Sequence, residues 1–133
     1  MEVEVYLIEL VNCSTGQVIA SEMQTAYSFW RRFKGLMLVK EIPENFALHI
    51  APCSSIHTFF MKCRIDILYL NQKNEIVGME ENFAPSKVGR LLTGVKSVIE
   101  LPAGKIKASA VKIGHAVAFV SSEHEKVIKT GTN

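Results

Sequence analysis

The chain has 133 residues, a length that makes one domain and buries roughly two-thirds of the unfolded surface. Hydrophobic residues make up 48% and charged residues 21%, which excludes a disordered chain. Fifteen basic residues against thirteen acidic ones leave a net charge of +2, too mild for the dense basic face that phosphate recognition needs, so no nucleic-acid partner is expected.

The opening residues Met1-Glu2-Val3-Glu4-Val5 supply neither the basic nor the apolar region of a secretion signal. No apolar run approaches the roughly 20 residues of a membrane span, so a cytoplasmic location and no membrane partner are expected. Cys13, Cys53 and Cys63 are an odd, sparse set rather than a disulfide framework, and free thiols are expected.

In chain order, residues 2–11 begin with alternating charged and apolar side chains and become apolar through Tyr6-Leu7-Ile8, as a strand entering a core does. Asn12 to Gly16 carries turn chemistry, and residues 17–22 read as the returning strand. Over residues 26–37 the period changes. Phe29, Phe33 and Leu36 fall at helical spacing, Thr25 or Ser28 is the candidate cap, and Pro43 forbids continuation beyond Glu41. Residues 46–50 form a short strand closed by Pro52. Residues 54–61 and 65–70 are rich in aromatic and β-branched residues, and the short break at Lys62 and Cys63 predicts an antiparallel hairpin. A further strand is predicted over residues 76–80, a loose mobile loop through Gly94, strands over 95–101 and 116–120, and a helical turn near 105–110. Residues 121–133 are polar and read as a flexible tail after a single β-rich domain of residues 1–120. The class is α+β, a mostly antiparallel, barrel-like sheet with one main helix.

The predicted hairpin sets His57 diagonally beside Asp66 on one face. A carboxylate beside an imidazole fixes its tautomer and raises its basicity, the orienting half of many acid-base sites. A nucleophile at fixed spacing is lacking: Thr58 faces the other way on an extended chain, and Ser54 and Ser55 lie where the strand begins. Cys53 and His57 share parity but stand roughly 13 Å apart by strand rise, too far to ligate one ion, so no metal and no cofactor are expected. Glycine-rich phosphate loops, His-Glu-x-x-His and Gly-x-Ser-x-Gly are absent from the sequence.

Four elements recur in a familiar order: Arg32-Phe33-Lys34-Gly35-Leu36-Met37; Phe59-Phe60-Met61-Lys62 leading to Ile65-Asp66-Ile67-Leu68-Tyr69-Leu70; Glu81-Asn82 with Pro85; and Val98 to Gly104 with Lys112-Ile113-Gly114. Over roughly residues 28–120 the chain resembles the family known as domain of unknown function 192. The resemblance implies a compact β-rich domain found in bacteria and archaea, without an established activity. Many members look like Met-Lys-Asn-Thr where this chain has Met61-Lys62-Cys63-Arg64, and the closing Gly-Asp is here Gly114-His115. Within the family-like element, Arg32 is a candidate to anchor an anion or to pair with an internal carboxylate such as Glu100 or Asp66.

The candidate site residues are therefore His57, Asp66, Arg32, Lys62 and Glu100. The expected function is a non-catalytic binding or accessory module for a small anionic molecule, a glycan or a peptide, with a hydrolase or transferase using His57 as general base as the alternative. A homodimer through an exposed sheet edge is the expected mode of any self-association.

Overall fold

The computed structural model describes residues 2–128. β1 (Glu2–Asn12) turns back as β2 (Val18–Ala26), with the Asn12 side-chain oxygen accepting the Ser14 N–H and Gly16 at φ 78° closing the turn. α1 (Phe29–Lys34) is shorter than the predicted 26–37 at both ends. Ala26 still belongs to β2, Ser28 caps the helix by accepting the Arg31 N–H, and Gly35 ends it at φ 47°, ψ −126°, a conformation open to glycine. There follow β3 (Phe46–Ile50), β4 (Ile65–Leu70), β5 (Ile76–Phe83), β6 (Ser97–Pro102), α2 (Lys105–Ser109) and β7 (Val117–Ile128).

The seven strands form one sheet in the order β5-β4-β6-β3-β2-β1-β7. β2 and β3 run parallel and the other neighbours antiparallel, so the sheet is mixed. It is also not closed, which leaves the barrel-like expectation loosely met. Its outer strands approach at one end, where Glu75 bridges Ala116 and the Ile76 N–H donates to the His115 carbonyl at 2.8 Å.

Two apolar clusters lie on opposite faces. The inner one draws on every strand, from Leu10 and Met23 through Leu68, Leu70, Ile99 and Leu101 to Val117, as the concave side of a coiled sheet must. The outer one rests on β3, β4 and β6 through Leu48, Ile50, Ile65, Ile67, Tyr69 and Val98, and is roofed by Leu36, Ile56 and Met61 from the segments flanking α1 and β4. Alternation along β4 therefore turns Ile65, Ile67 and Tyr69 outward and Asp66, Leu68 and Leu70 inward.

Three sequence expectations fail here. Residues 54–61 do not pair with β4, whose partners are β5 and β6; His57 instead bridges Val88. The 84–94 segment is a loop, as expected, but not a loose one: Thr58 Oγ1 accepts from the Lys87 N–H at 2.8 Å, the Gly89 N–H donates to the Ile56 carbonyl at 2.7 Å, and Arg90 pairs with Glu80 at 3.2 Å. Residues 121–128 are no tail, because β7 keeps its pairing with β1 out to Ile128 opposite Glu2. Residues 129–133, the rest of the predicted tail, lie outside the described residues.

Candidate functional site

Asp66 is wholly buried on the inner face, and its carboxylate is taken up by backbone. Oδ1 accepts the Asn82 N–H at 2.8 Å, while Oδ2 accepts those of Gly104 at 3.1 Å and Ile106 at 2.8 Å. These bonds fasten β5 and the start of α2 to β4, satisfying donors that helix geometry leaves open. His57 sits over the outer face, so the proposed His57–Asp66 pair is not formed and the general-base scheme built on it falls.

The other predicted residues fare differently. Arg32, His57 and Glu100 line a single cavity of about 50 Å³ between α1, the 53–61 segment and β6. Glu100 reaches it because β6 turns Glu100 to the outer face, opposite Ile67 of β4 and Leu48 of β3. Arg32 reaches it because the short helix ends at Gly35, whose backbone lies against Glu100; a β-carbon there would stand 3.4 Å from Glu100 Oε1. The Arg32 guanidinium is held by an Nη1 bond to the Pro52 carbonyl at 2.9 Å. The Phe33 ring meets His57 edge-on at 5.9 Å and the Phe59 ring stacks on it at 5.1 Å. Lys62 is exposed and does not line the cavity.

Three buried polar atoms of this cavity, Arg32 Nε, His57 Nδ1 and Glu100 Oε2, have no protein partner. Buried polar groups are nearly always satisfied, and three of the exceptions belong to residues lining this one cavity. The expected Arg32–Glu100 ion pair is not made; among the described residues the ion pair is Arg90–Glu80. Burial among apolar side chains pushes the Glu100 carboxyl up to about 7, so it switches between donor and acceptor near neutrality.

Cys53 also lines the cavity. Its thiol donates to the Ser55 carbonyl at 2.9 Å, and burial raises its pKa, which disfavours the thiolate. Cys53, His57 and Glu100 share this cavity without gathering closely enough to hold a metal ion. A larger groove of about 540 Å³ adjoins the cavity, sharing Lys34, Gly35, Leu36 and Met37 in its lining and adding Ala26, Val39, Ile42 and Phe46 with Glu22, Gln24 and Arg31 at its polar positions. No sequence signal marked it, because its walls come from β2, β3 and the turn after α1.

No helix among the described residues is long and apolar enough to cross a membrane. The family described as "Uncharacterized ACR", DUF192, matches residues 10–119. A UPF0127 protein of Thermococcus kodakarensis is 33% identical over 129 residues, covering 90% of this chain and 78% of its own length. One from Thermococcus sibiricus is 32% identical over 125 residues, covering 90% and 79%, and one from Pyrococcus furiosus 30% over 110 residues, covering 79% and 92%. Among solved structures, a protein of unknown function from Novosphingobium aromaticivorans superposes with a TM-score of 0.73 at 16% identity, covering 88% of this chain and 84% of that one. A putative transcription regulator from Sinorhizobium meliloti gives a TM-score of 0.72 at 18% identity, covering 89% and 95%; both are likenesses of fold. With a family match reaching from β1 to β7 around the cavity, this chain belongs to the DUF192 family, whose function is unknown.

Proposed function

We propose that the chain is a non-catalytic binding module for a small ligand with one compact polar end. The observation that carries the reading is the convergence of Arg32 Nε, His57 Nδ1 and Glu100 Oε2, buried and unpartnered, on one cavity. Arg32 is a permanent donor, whereas Glu100 and His57 each donate or accept according to protonation and tautomer. A cavity of about 50 Å³ admits a carboxylate, hydroxyl or amide but no ring, so the body of the ligand lies in the adjoining groove. This favours small carboxylates, sugar acids and short peptides as ligands. A reading as an enzyme lacks support, since burial disfavours the Cys53 thiolate and Asp66 is turned away.

The test is a thermal-shift panel of carboxylates, sugars and short peptides on the wild type and on Arg32→Lys, which keeps the charge but removes the Nε donor. A binding ligand at 100 times its Kd raises stability by about 2.7 kcal/mol. Loss of that shift in Arg32→Lys supports the site. Equal shifts in both proteins, or none across the panel, reject it.

A further inference from the structure

We propose that the face surrounding this cavity docks onto an anionic lipid bilayer. Three segments meet there: 30–40 carries most of α1 and the turn after it, 57–64 begins at His57, and 84–91 is stitched to it by the His57–Val88 bridge. The Leu38 N–H donates to the Phe60 carbonyl at 3.0 Å, and the Phe33 and Phe59 rings both lie against His57. Together these segments hold eight of the fifteen basic residues and none of the thirteen acidic ones. The mild net charge conceals this segregation. Arg32, Arg64 and Arg90 are engaged with the Pro52 carbonyl, the Asn82 carbonyl and Glu80, and Arg31, Lys34, Lys40, Lys62 and Lys87 are exposed.

The same segments present large apolar side chains to solvent: Trp30 is 75% exposed, Leu91 81%, Phe60 67%, and Leu38 and Val88 65% each. Leu38 and Phe60 stand at φ 66° and 63°, in a left-handed conformation that bulky side chains avoid. The backbone is thus strained at the two positions where an apolar side chain is pushed outward, and such strain concentrates where surfaces have work to do. Aromatic and aliphatic tips ringed by Lys and Arg are the composition that seats a protein in the headgroup region of an anionic bilayer. A single-stranded nucleic acid would use rings alone for stacking and leave Leu38, Val88 and Leu91 without a role.

Trp30 is the chain's single tryptophan, so its emission reports on this face directly. The intact protein is mixed with vesicles of phosphatidylcholine alone, or of phosphatidylcholine with phosphatidylglycerol, and followed by fluorescence and co-sedimentation. The expected result is a blue shift and sedimentation with the anionic vesicles, both abolished in molar salt. Each basic residue is worth about fivefold at such a surface, so Lys34→Gln with Lys62→Gln weakens binding roughly 25-fold. Leu38→Gly with Phe60→Gly relieves the backbone and keeps the bond between them, so binding falls while the melting temperature holds or rises. Failure to bind anionic vesicles overturns the proposal, as does equal binding to both vesicle types. Binding to a single-stranded oligonucleotide without vesicle binding overturns it in favour of nucleic acid.

Discussion

Glu100 and His49 impose opposite pH dependences on the stability of this fold, and replacing either one exposes the other. Glu100, 4% exposed between Leu48 and Ile67, is raised by burial from an ordinary 4.5 to about 7. Between those values the folded chain holds a proton that the unfolded chain has released, so stability falls as pH rises, by about 1.4 kcal/mol per pH unit and about 3 kcal/mol in all. His49 lies on the inner face of β3, 5% exposed, with its Nδ1 2.7 Å from the Tyr27 hydroxyl and its ring 4.4 Å from that of Phe119. Burial lowers it from 6.5 to about 4. Here the unfolded chain holds the proton that the folded one lacks, so stability rises with pH, again by about 3 kcal/mol across the interval. The windows overlap from 4.5 to 6.5, where the two slopes cancel. Urea denaturation at intervals across this range reads the balance. The difference between Glu100→Gln and wild type climbs by about 3 kcal/mol from acid to neutral pH, and that between His49→Asn and wild type descends by as much. The double variant restores the wild-type slope, since the residues lie on opposite faces of the sheet and have no shared partner. Parallel pH profiles for wild type and Glu100→Gln would refute the claim that Glu100 is buried uncompensated.

Asp66→Asn presents an amide NH₂ to backbone donors that a carboxylate now accepts from, and is expected to cost about 2–4 kcal/mol, with faster hydrogen exchange at Asn82 or at Gly104 and Ile106. Gly35→Ala is expected to lose about 1–3 kcal/mol by calorimetry, because φ 47° with ψ −126° strains any side chain. Gly89→Ala drives a β-carbon into the Tyr69 hydroxyl and the Ile56 carbonyl, and is expected to destabilise by about 1–3 kcal/mol while exposing the Gly89 amide to exchange.

How far this fold could be read from its residues depended on how many faces each strand buries. β1, β2 and β3, the short α2 and the class itself were legible, since turn chemistry at Asn12 to Gly16 and the break at Pro102 to Gly104 punctuate the chain locally. β4 was legible as a strand, and so was the turn at Asn71 to Glu75 that leads to β5, but not its pairing with β6. All six of its residues are buried, so alternation carries no register, and a partner at β6 some thirty residues downstream competes with the nearer segment that the hairpin rule prefers. The same blindness misplaced Asp66, because a carboxylate in a strand buried on both sides reads alike whether it serves a site or ties down amides. Arg32, His57 and Glu100 were named from a predicted helix and two predicted strands, but what unites them is the backbone of Gly35 lying against Glu100 of β6, a contact that no spacing in the chain announces. What separates the two acidic residues physically is whether nearby N–H groups have spare capacity. Asp66 lies beside the start of α2, where helix geometry leaves donors open, and is consumed by them. Glu100 lies between two paired strands whose amides are already spent, so its charge has no backbone to answer it, and a residue in that position either stays protonated or meets a guest.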